Sequence, residues 1–368
     1  MKKILFVSAF PPNRKTAGQN YSRQLLSELS KEHTIDLIYF NYKNHEIEIA
    51  KNINIVKSIK LSLIHKLMNS LKLIFIHPFF SARFNFKILY FVFNNRNNYD
   101  VLYFDFSQVF IYSLFIKHKY KVFMSHDVIY QKYLRSSSLV NDLFRPFLKF
   151  SERKLLKSAH KIFCFSHKDQ KLIKNFYKIN STPVSFYIDE IIYEHKYKNV
   201  HMDNSYMLYG AWNRPENSEG LEWFLNEVMP SISNIRIKII GSSLSDFLKQ
   251  KITLYPNIEY LGFIEDPYLE LMKSKALIAP VFKGAGVKVK VIEALASGTP
   301  VIGTVVAFEG VGKNYKNELI EFKNRDELIS LLENETGYKK NEEKLKLKSR
   351  FKANYSKNML IDKLFNPL

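Results

Sequence analysis

The sequence predicts an α/β protein of two doubly wound, Rossmann-like units in tandem, facing each other across a cleft. Three observations carry that expectation. Apolar runs of strand type alternate with helix-period segments from end to end, the pattern of parallel sheets covered by helices. The 368 residues suffice for two cores of ordinary size. The stretch APVFKGAGVKVKVIEALASGTPVIGT, residues 279–304, reads as strand, glycine turn, helix and strand in succession, the repeating unit of such a sheet.

In the first half, strands fall at residues 3–9, 34–40, 54–59, 101–106, 121–125, 161–165 and 183–188. The first, in MKKILFVSAFPP, is too short for a signal peptide and lacks the small-residue cleavage site. Helices are expected at 19–30 and 145–158, and Ser166 with Asp169 opens another, through Phe176, as a capping box. EHKYKNVHMDN, residues 194–204, has no periodicity and reads as a linker. Beyond it, strands are expected at 206–211, 235–241, 258–263, 276–282, 300–304 and 318–322. Helices at 219–228, 244–253, 268–274, 288–297 and 325–333 lie between them, the last opened by the pair Asn324 and Glu327. The tail is basic and helical, with Met359, Leu360, Leu364 and Phe365 available for docking. The expected parts are therefore a first domain at 1–195, a second at 205–338, and a tail at 339–368 that packs back on the first.

Hydrophobic residues at 46% and charged residues at 24% give a globular composition. A single cysteine, Cys164 in the apolar run KIFCFS, excludes an internal disulfide and a cysteine zinc site and fits a reducing compartment. The formal charge of +20, from 55 Lys and Arg against 35 Asp and Glu, points to a polyanionic surface as partner. Between Glu48 and Asp100 no acidic residue occurs, while Lys51, Lys57, Lys60, Lys66, Lys72, Arg83, Lys87 and Arg96 interleave with LIFIHPFF and ILYFVF. Residues 49–99 therefore read either as a segment lying on an anionic membrane surface or as core helices with solvated lysines. No run is long enough to span a membrane. No helix-turn-helix, zinc or RNP pattern accompanies the charge, so nucleic acid is not expected as a partner.

Residues 279–304 also hold the chemistry. Gly284 and Gly286 form the turn, and the helix after it carries Lys288, Lys290 and a single carboxylate, Glu293. Unpaired N–H groups at a helix's first turn carry partial positive charge, so turn and helix start suit an anion. Two ammonium groups beside those amides suit a diphosphate, and a carboxylate further along suits ribose hydroxyls. An ordinary strand-turn-helix connection with surface lysines shares the same spacing. No Asp-x-Asp motif stands in a suitable loop, so no metal and no cofactor are implied; without a Gly-x-Ser-x-Gly elbow, Ser-His-Asp hydrolysis is not supported.

KVIEALASGTPVIGT, residues 290–304, resembles the second half of the Glu-x7-Glu motif and the following Ala-x-x-x-Gly-x-Pro-Val-Ile run of the family 4 glycosyltransferases, of GT-B fold. The resemblance extends along the chain. FVSAFPPNRKTAGQNYSRQLLSEL is similar to that family's first strand, loop and helix, and SHD, residues 125–127, to its histidine-containing strand end. NIEYLGFIED is similar to the strand and turn before its donor site, and NYSKNMLIDKLF to the helix that crosses back to the first domain. With the basic segment, the resemblance implies a retaining transferase bound peripherally at the cytoplasmic membrane face. Its donor would be a UDP- or GDP-sugar and its acceptor a lipid-linked or cell-envelope glycan.

On the same ground Glu293 binds the donor ribose, Gly286 and Val287 offer amides to the diphosphate, and Lys288 and Lys290 stabilise the leaving group. Ala294, Arg214 and Glu309 are also placed at the donor. Gly18 lets backbone approach the ligand. His126 contacts or positions the sugar, or else pairs with Asp127 for structure. Asp127 is the general base, unless the leaving phosphate takes that proton. Two departures stand out: Ala285 occupies the position of the motif's first Glu, and in GAWNRPENSEG Ala211 and Asn217 stand where many members carry cations. Lys288 and Lys290 are read as replacing that charge. Two other readings fit the sequence, a GT-B nucleotide-sugar epimerase and a non-catalytic nucleotide-sugar-binding protein of polysaccharide assembly.

Overall fold

A computed structural model describes residues 1–41, 46–135, 139–186, 188, 190–193, 200–355 and 359–365. The chain divides into two units, Met1–Tyr187 with Lys357–Leu368, and Ile188–Ser356. Each is wound around its own parallel sheet.

The first sheet holds β1 (Lys3–Ser8), β2 (Thr34–Asn41), β3 (Asn54–Lys60), β4 (Val101–Asp105), β5 (Lys121–Ser125), β6 (Lys161–Cys164) and β7 (Thr182–Pro183), in the order β3-β2-β1-β4-β5-β6-β7. The helices are α1 (Ala17–Leu29), α2 (Leu63–Lys72), α3 (Pro78–Ser81), α4 (Phe86–Asn95), α5 (Ile129–Leu134), α6 (Leu139–Leu156) and α7 (His167–Tyr177). β1, β4, β5 and β6 are buried almost throughout, as central strands covered on both faces must be. Ser166 caps α7, its Oγ accepting from the Asp169 amide at 3.0 Å. β7 is shorter than the 183–188 expected, because it lies at the sheet edge and Pro183 has no N–H to give.

The second sheet holds β8 (Ser205–Tyr209), β9 (Arg236–Ile240), β10 (Ile258–Gly262), β11 (Ala276–Ala279), β12 (Val301–Gly303) and β13 (Leu319–Glu321), in the order β10-β9-β8-β11-β12-β13. Its helices are α8 (Pro215–Trp223), α9 (Asp246–Ile252), α10 (Tyr268–Lys273), α11 (Val289–Ala296), α12 (Arg325–Glu333) and α13 (Asn341–Asn354). α8 begins four residues before the 219 expected, with Pro215 at its first position, where a missing N–H costs nothing.

Two expected boundaries move. The second unit starts before residue 195, because Ile188, Ile192 and Val200 are buried in its core; residues 194–199 of the expected linker lie outside the described residues. The tail divides. α13 belongs to the second unit, where Leu347 and Phe351 are buried. Only its end, α14 (Met359–Leu364), belongs to the first. There Leu360 and Leu364 are buried, and Tyr120 Oη donates to the Leu364 carbonyl at 2.5 Å.

Candidate functional site

In a doubly wound sheet, ligands bind beyond the carboxyl ends of the strands where the winding reverses. In the second unit that reversal lies between β8 and β11, since β9 and β10 are laid outward on one side of β8 before β11 is placed on the other. The segment from Gly284 to Lys288 follows β11, Arg214 follows β8 and Glu309 follows β12, so all three leave the same end of neighbouring strands.

Gly284 (φ 108°) and Gly286 (φ 71°) adopt left-handed backbone that turns the chain into α11. Among the described residues, the amides of Ala285, Gly286, Val287, Val289 and Lys290 find no acceptor. The N-cap of α11 is Lys288, whose side chain accepts nothing. Lys288 Nζ instead donates to the carbonyls of Gly286 at 2.9 Å and Ala285 at 3.3 Å. Lys290 Nζ donates to Asn217 Oδ1 at 2.8 Å, and Asn217 Nδ2 to the Ala211 carbonyl at 3.0 Å, so Asn217 ties the loop after β8 to α11. Gly220 permits this packing: a Cβ there would stand 1.9 Å from the Pro280 carbonyl oxygen.

Burial first, then the neighbouring charge of Lys288, pushes the Lys290 ammonium down to about 8, with Glu216 pulling the other way. Part of the Lys290 stem is accessible, but the ammonium is enclosed. Lys288, Lys290 and a row of open amides thus stand together at the start of α11, a setting that suits an anion. Glu293 accepts from Tyr268 Oη at 3.3 Å and is hydrogen-bonded to Tyr209 at the end of β8. Burial, and then Glu293, hold the Tyr209 phenol well above its ordinary range, so it stays protonated beside the Glu293 carboxyl group. Val287 and Glu309 are half-buried and Arg214 is exposed. Ala294 is buried in the core with Val291 and Leu295.

In the first unit the winding reverses between β1 and β4. Asp105, fully buried at the end of β4, accepts from His126 Nε2 at 2.8 Å, Ser22 Oγ at 2.5 Å and Ser8 Oγ at 3.3 Å. The imidazole of His126 lies flat on Phe106, with centroids 3.6 Å apart and planes 12° from parallel, and Tyr21 and Phe165 meet it edge-on. Phe106 holds φ 70°, ψ 142°, a conformation costing a non-glycine residue about 1–3 kcal/mol. With Nε2 committed to Asp105, Nδ1 is the ring's other polar atom. A Cβ on Gly18 would stand 3.3 Å from it and 3.0 Å from Phe106.

The structural partner of His126 is therefore Asp105, not Asp127. The Asp127 charge acts on Glu152, which burial chiefly pushes up to about 7. Glu152 accepts from the Ile129 and Tyr130 amides, both at 2.9 Å, and from Tyr177 Oη at 2.5 Å, so it caps α5. Among the described residues, no three His, Cys, Asp or Glu side chains converge as a metal would need.

Sequence reasoning missed Asp105, Phe106, Tyr209, Tyr268 and the bridging role of Asn217. Asp105 had one signal, an acid closing a fully apolar strand at a winding reversal.

This combination, two doubly wound parallel sheets each carrying polar groups at its reversal, defines a GT-B protein. Residues 205–334 match the family described as glycosyl transferases group 1. A curated relative, an uncharacterized 44.6 kDa protein in the cps region of Klebsiella pneumoniae, is 27% identical over 216 residues, 53% of each chain. The chain thus spans about half the length of the curated relative it matches. Among solved structures, Staphylococcus aureus TarM in complex with fondaparinux, alpha-GlcNAc-glycerol and UDP superposes with a TM-score of 0.68 at 13% identity, covering 100% of this chain and 99% of that one. Sucrose-phosphate synthase from Thermosynechococcus elongatus gives 0.69 at 16% identity, covering 99% and 97%. Anabaena HepE in complex with UDP gives 0.65 at 14% identity, covering 96% of both. Residues 205–334 thus match the group 1 glycosyl transferase family, and the chain as a whole has the GT-B fold.

Proposed function

We propose that this protein transfers a sugar, with retention, from a UDP-sugar to a lipid-linked or cell-envelope glycan at the cytoplasmic membrane face. The observation that carries the donor reading is the enclosed Lys290 beside Lys288 and a run of open amides. UDP is favoured over GDP because TarM and HepE were each solved with UDP at the same fold. The relative encoded in a cps region supports an envelope glycan as acceptor.

In transfer, the bond between the sugar's anomeric carbon and the diphosphate oxygen breaks, and the electron pair leaves with the diphosphate. The acceptor hydroxyl bonds to that carbon on the same face, and its proton passes to the leaving oxygen or to Asp127. Lys288, Lys290 and the amides of Gly286 and Val287 stabilise the departing charge. Glu293 holds the ribose, with Arg214 and Glu309 on the flanking loops.

Calorimetric titration with UDP tests this directly, and no heat of binding at millimolar nucleotide overturns it. Donor hydrolysis without acceptor separates an enzyme from a binder. The affinity should also depend on pH. A bound diphosphate favours protonated Lys290, so above about 8 binding must take up a proton. The association constant is expected to be flat below that value and to fall by up to about tenfold per pH unit above it.

Asp105→Asn replaces one acceptor oxygen with a donor and disturbs the orientation of His126. Transfer is expected to fall about tenfold to a hundredfold, while UDP affinity, which belongs to the second unit, stays unchanged. Full activity in this variant removes His126 from the reacting centre.

A further inference from the structure

α2 is amphipathic the wrong way round for a helix of a water-soluble unit. Its partly covered residues are Lys66, Asn69 and Ser70, and Asn69 Nδ2 fastens it by donating to the carbonyls of Ala82 at 3.2 Å and Phe84 at 2.6 Å. Leu63 (81% exposed), Ile64 (73%), Leu67 and Leu71 face outward instead, and no residue of α2 is buried. At 3.6 residues per turn these side chains fill an arc of about 100°. Surface helices normally turn such a stripe inward, and contiguous exposed apolar patches mark interaction sites.

The patch continues past the end of α2 through Ile74 (74% exposed) and Phe75, whose ring meets Phe115 at 6.4 Å. Beyond Phe115 lies an apolar groove of about 430 Å³ lined by Phe86, Leu89, Tyr90, Phe93 and Phe115. Phe86, Tyr90 and Phe93 share the outward face of α4, while Ile88 and Val92 turn into the core. Cations stand beside its aromatic rings. Lys154 stands over Phe75 at 5.1 Å, Arg96 over Phe93 at 4.2 Å and Lys57 over Phe91 at 5.4 Å. No acidic residue occurs from residue 49 to residue 99.

We propose that α2, the outward face of α4 and the groove that α4 forms with Phe115 make up an interfacial surface that docks on an anionic lipid bilayer. The apolar side chains enter the headgroup boundary, the groove takes an acyl or prenyl chain, and the lysines and arginines meet lipid phosphates. The charge pattern favours a bilayer over a second copy of this chain, since a copy would bring the same cations face to face. Among the described residues no helix is long and apolar enough to cross a membrane, so attachment through this surface lies on the bilayer without spanning it.

Co-sedimentation with vesicles of equal parts phosphatidylglycerol and phosphatidylcholine tests the proposal, with pure phosphatidylcholine as control. Binding is expected to the anionic vesicles and to weaken about tenfold or more from low to high salt. A variant carrying Leu63→Glu, Leu67→Glu and Leu71→Glu is expected to stay in the supernatant while binding UDP as tightly as the parent. Failure of the parent to sediment, equal sedimentation of the variant, or a concentration-dependent dimer abolished by the same substitutions overturns it. The UDP titration keeps this result separate from the fate of the donor reading.

Discussion

Lys288→Ala is expected to lower kcat/KM for sugar transfer by about a hundredfold to a thousandfold, or about 2 to 4 kcal/mol of transition-state stabilisation. The lysine sits at the N-cap of α11, where the amides of Gly286 and Val287 are open, and the proposed donor reading sets the departing diphosphate against this turn. A solvated surface lysine in the same position would cost almost nothing. Its second effect is diagnostic. The Lys288 charge helps hold Lys290 down at about 8, so removing it should move the break in the pH dependence of UDP binding upward. Because Lys288 Nζ also bonds two carbonyls of its own loop, the melting temperature must be measured beside the rate. A slower enzyme with unchanged melting and an unmoved pH break would place Lys288 away from the phosphates.

The second large effect is on stability. Lys344 in α13 is almost wholly buried, and its Nζ donates to the carbonyls of Leu271 at 3.3 Å, Met272 at 2.6 Å and Ser274. The Leu271 carbonyl also accepts from the Ser274 amide and Thr299 Oγ1, so the carbonyls that depend on Lys344 are those of Met272 and Ser274 at the end of α10. α13 can come so close because residue 298 is glycine: a Cβ there would stand 2.2 Å from the Lys344 carbonyl oxygen. Lys344→Met keeps the bulk but strands the Met272 and Ser274 carbonyls, so unfolding should become easier by about 2 to 5 kcal/mol, read from chemical denaturation of the protein. Burial pushes this lysine down to about 7 from 10.5. Between those values the unfolded chain keeps a proton that the folded chain has released. The parent's stability therefore rises with pH across that window, and its margin over the variant widens toward the alkaline end.

Much of this architecture was legible because it is local. Strand and helix periods, the glycine turn and the lysines that follow it all lie within short windows, and every strand expected from the apolar runs is present among the described residues. What escaped depends on neighbours that only the sheet supplies. Asp105 meets His126 because β4 lies beside β5, with Asp105 opposite Met124; nothing within either strand announces the pair. Ala294 differs from Glu293 by one step around a helix, enough to turn it from the loop side into the core. The inverted α2 was also hidden, since a helical period shows that an apolar stripe exists and not which way it faces.

The return of α14 to the first unit bears on how the chain is made. Lys161 Nζ donates to the Lys363 carbonyl and Lys363 Nζ to the Pro183 carbonyl at 3.4 Å, so these contacts beside β6 and β7 form only with residues synthesised after the second unit. The first sheet is translated early, but during elongation this margin stays bare until the whole second unit has emerged. On the ribosome the amino-terminal half therefore keeps this margin uncovered until α14 has been made.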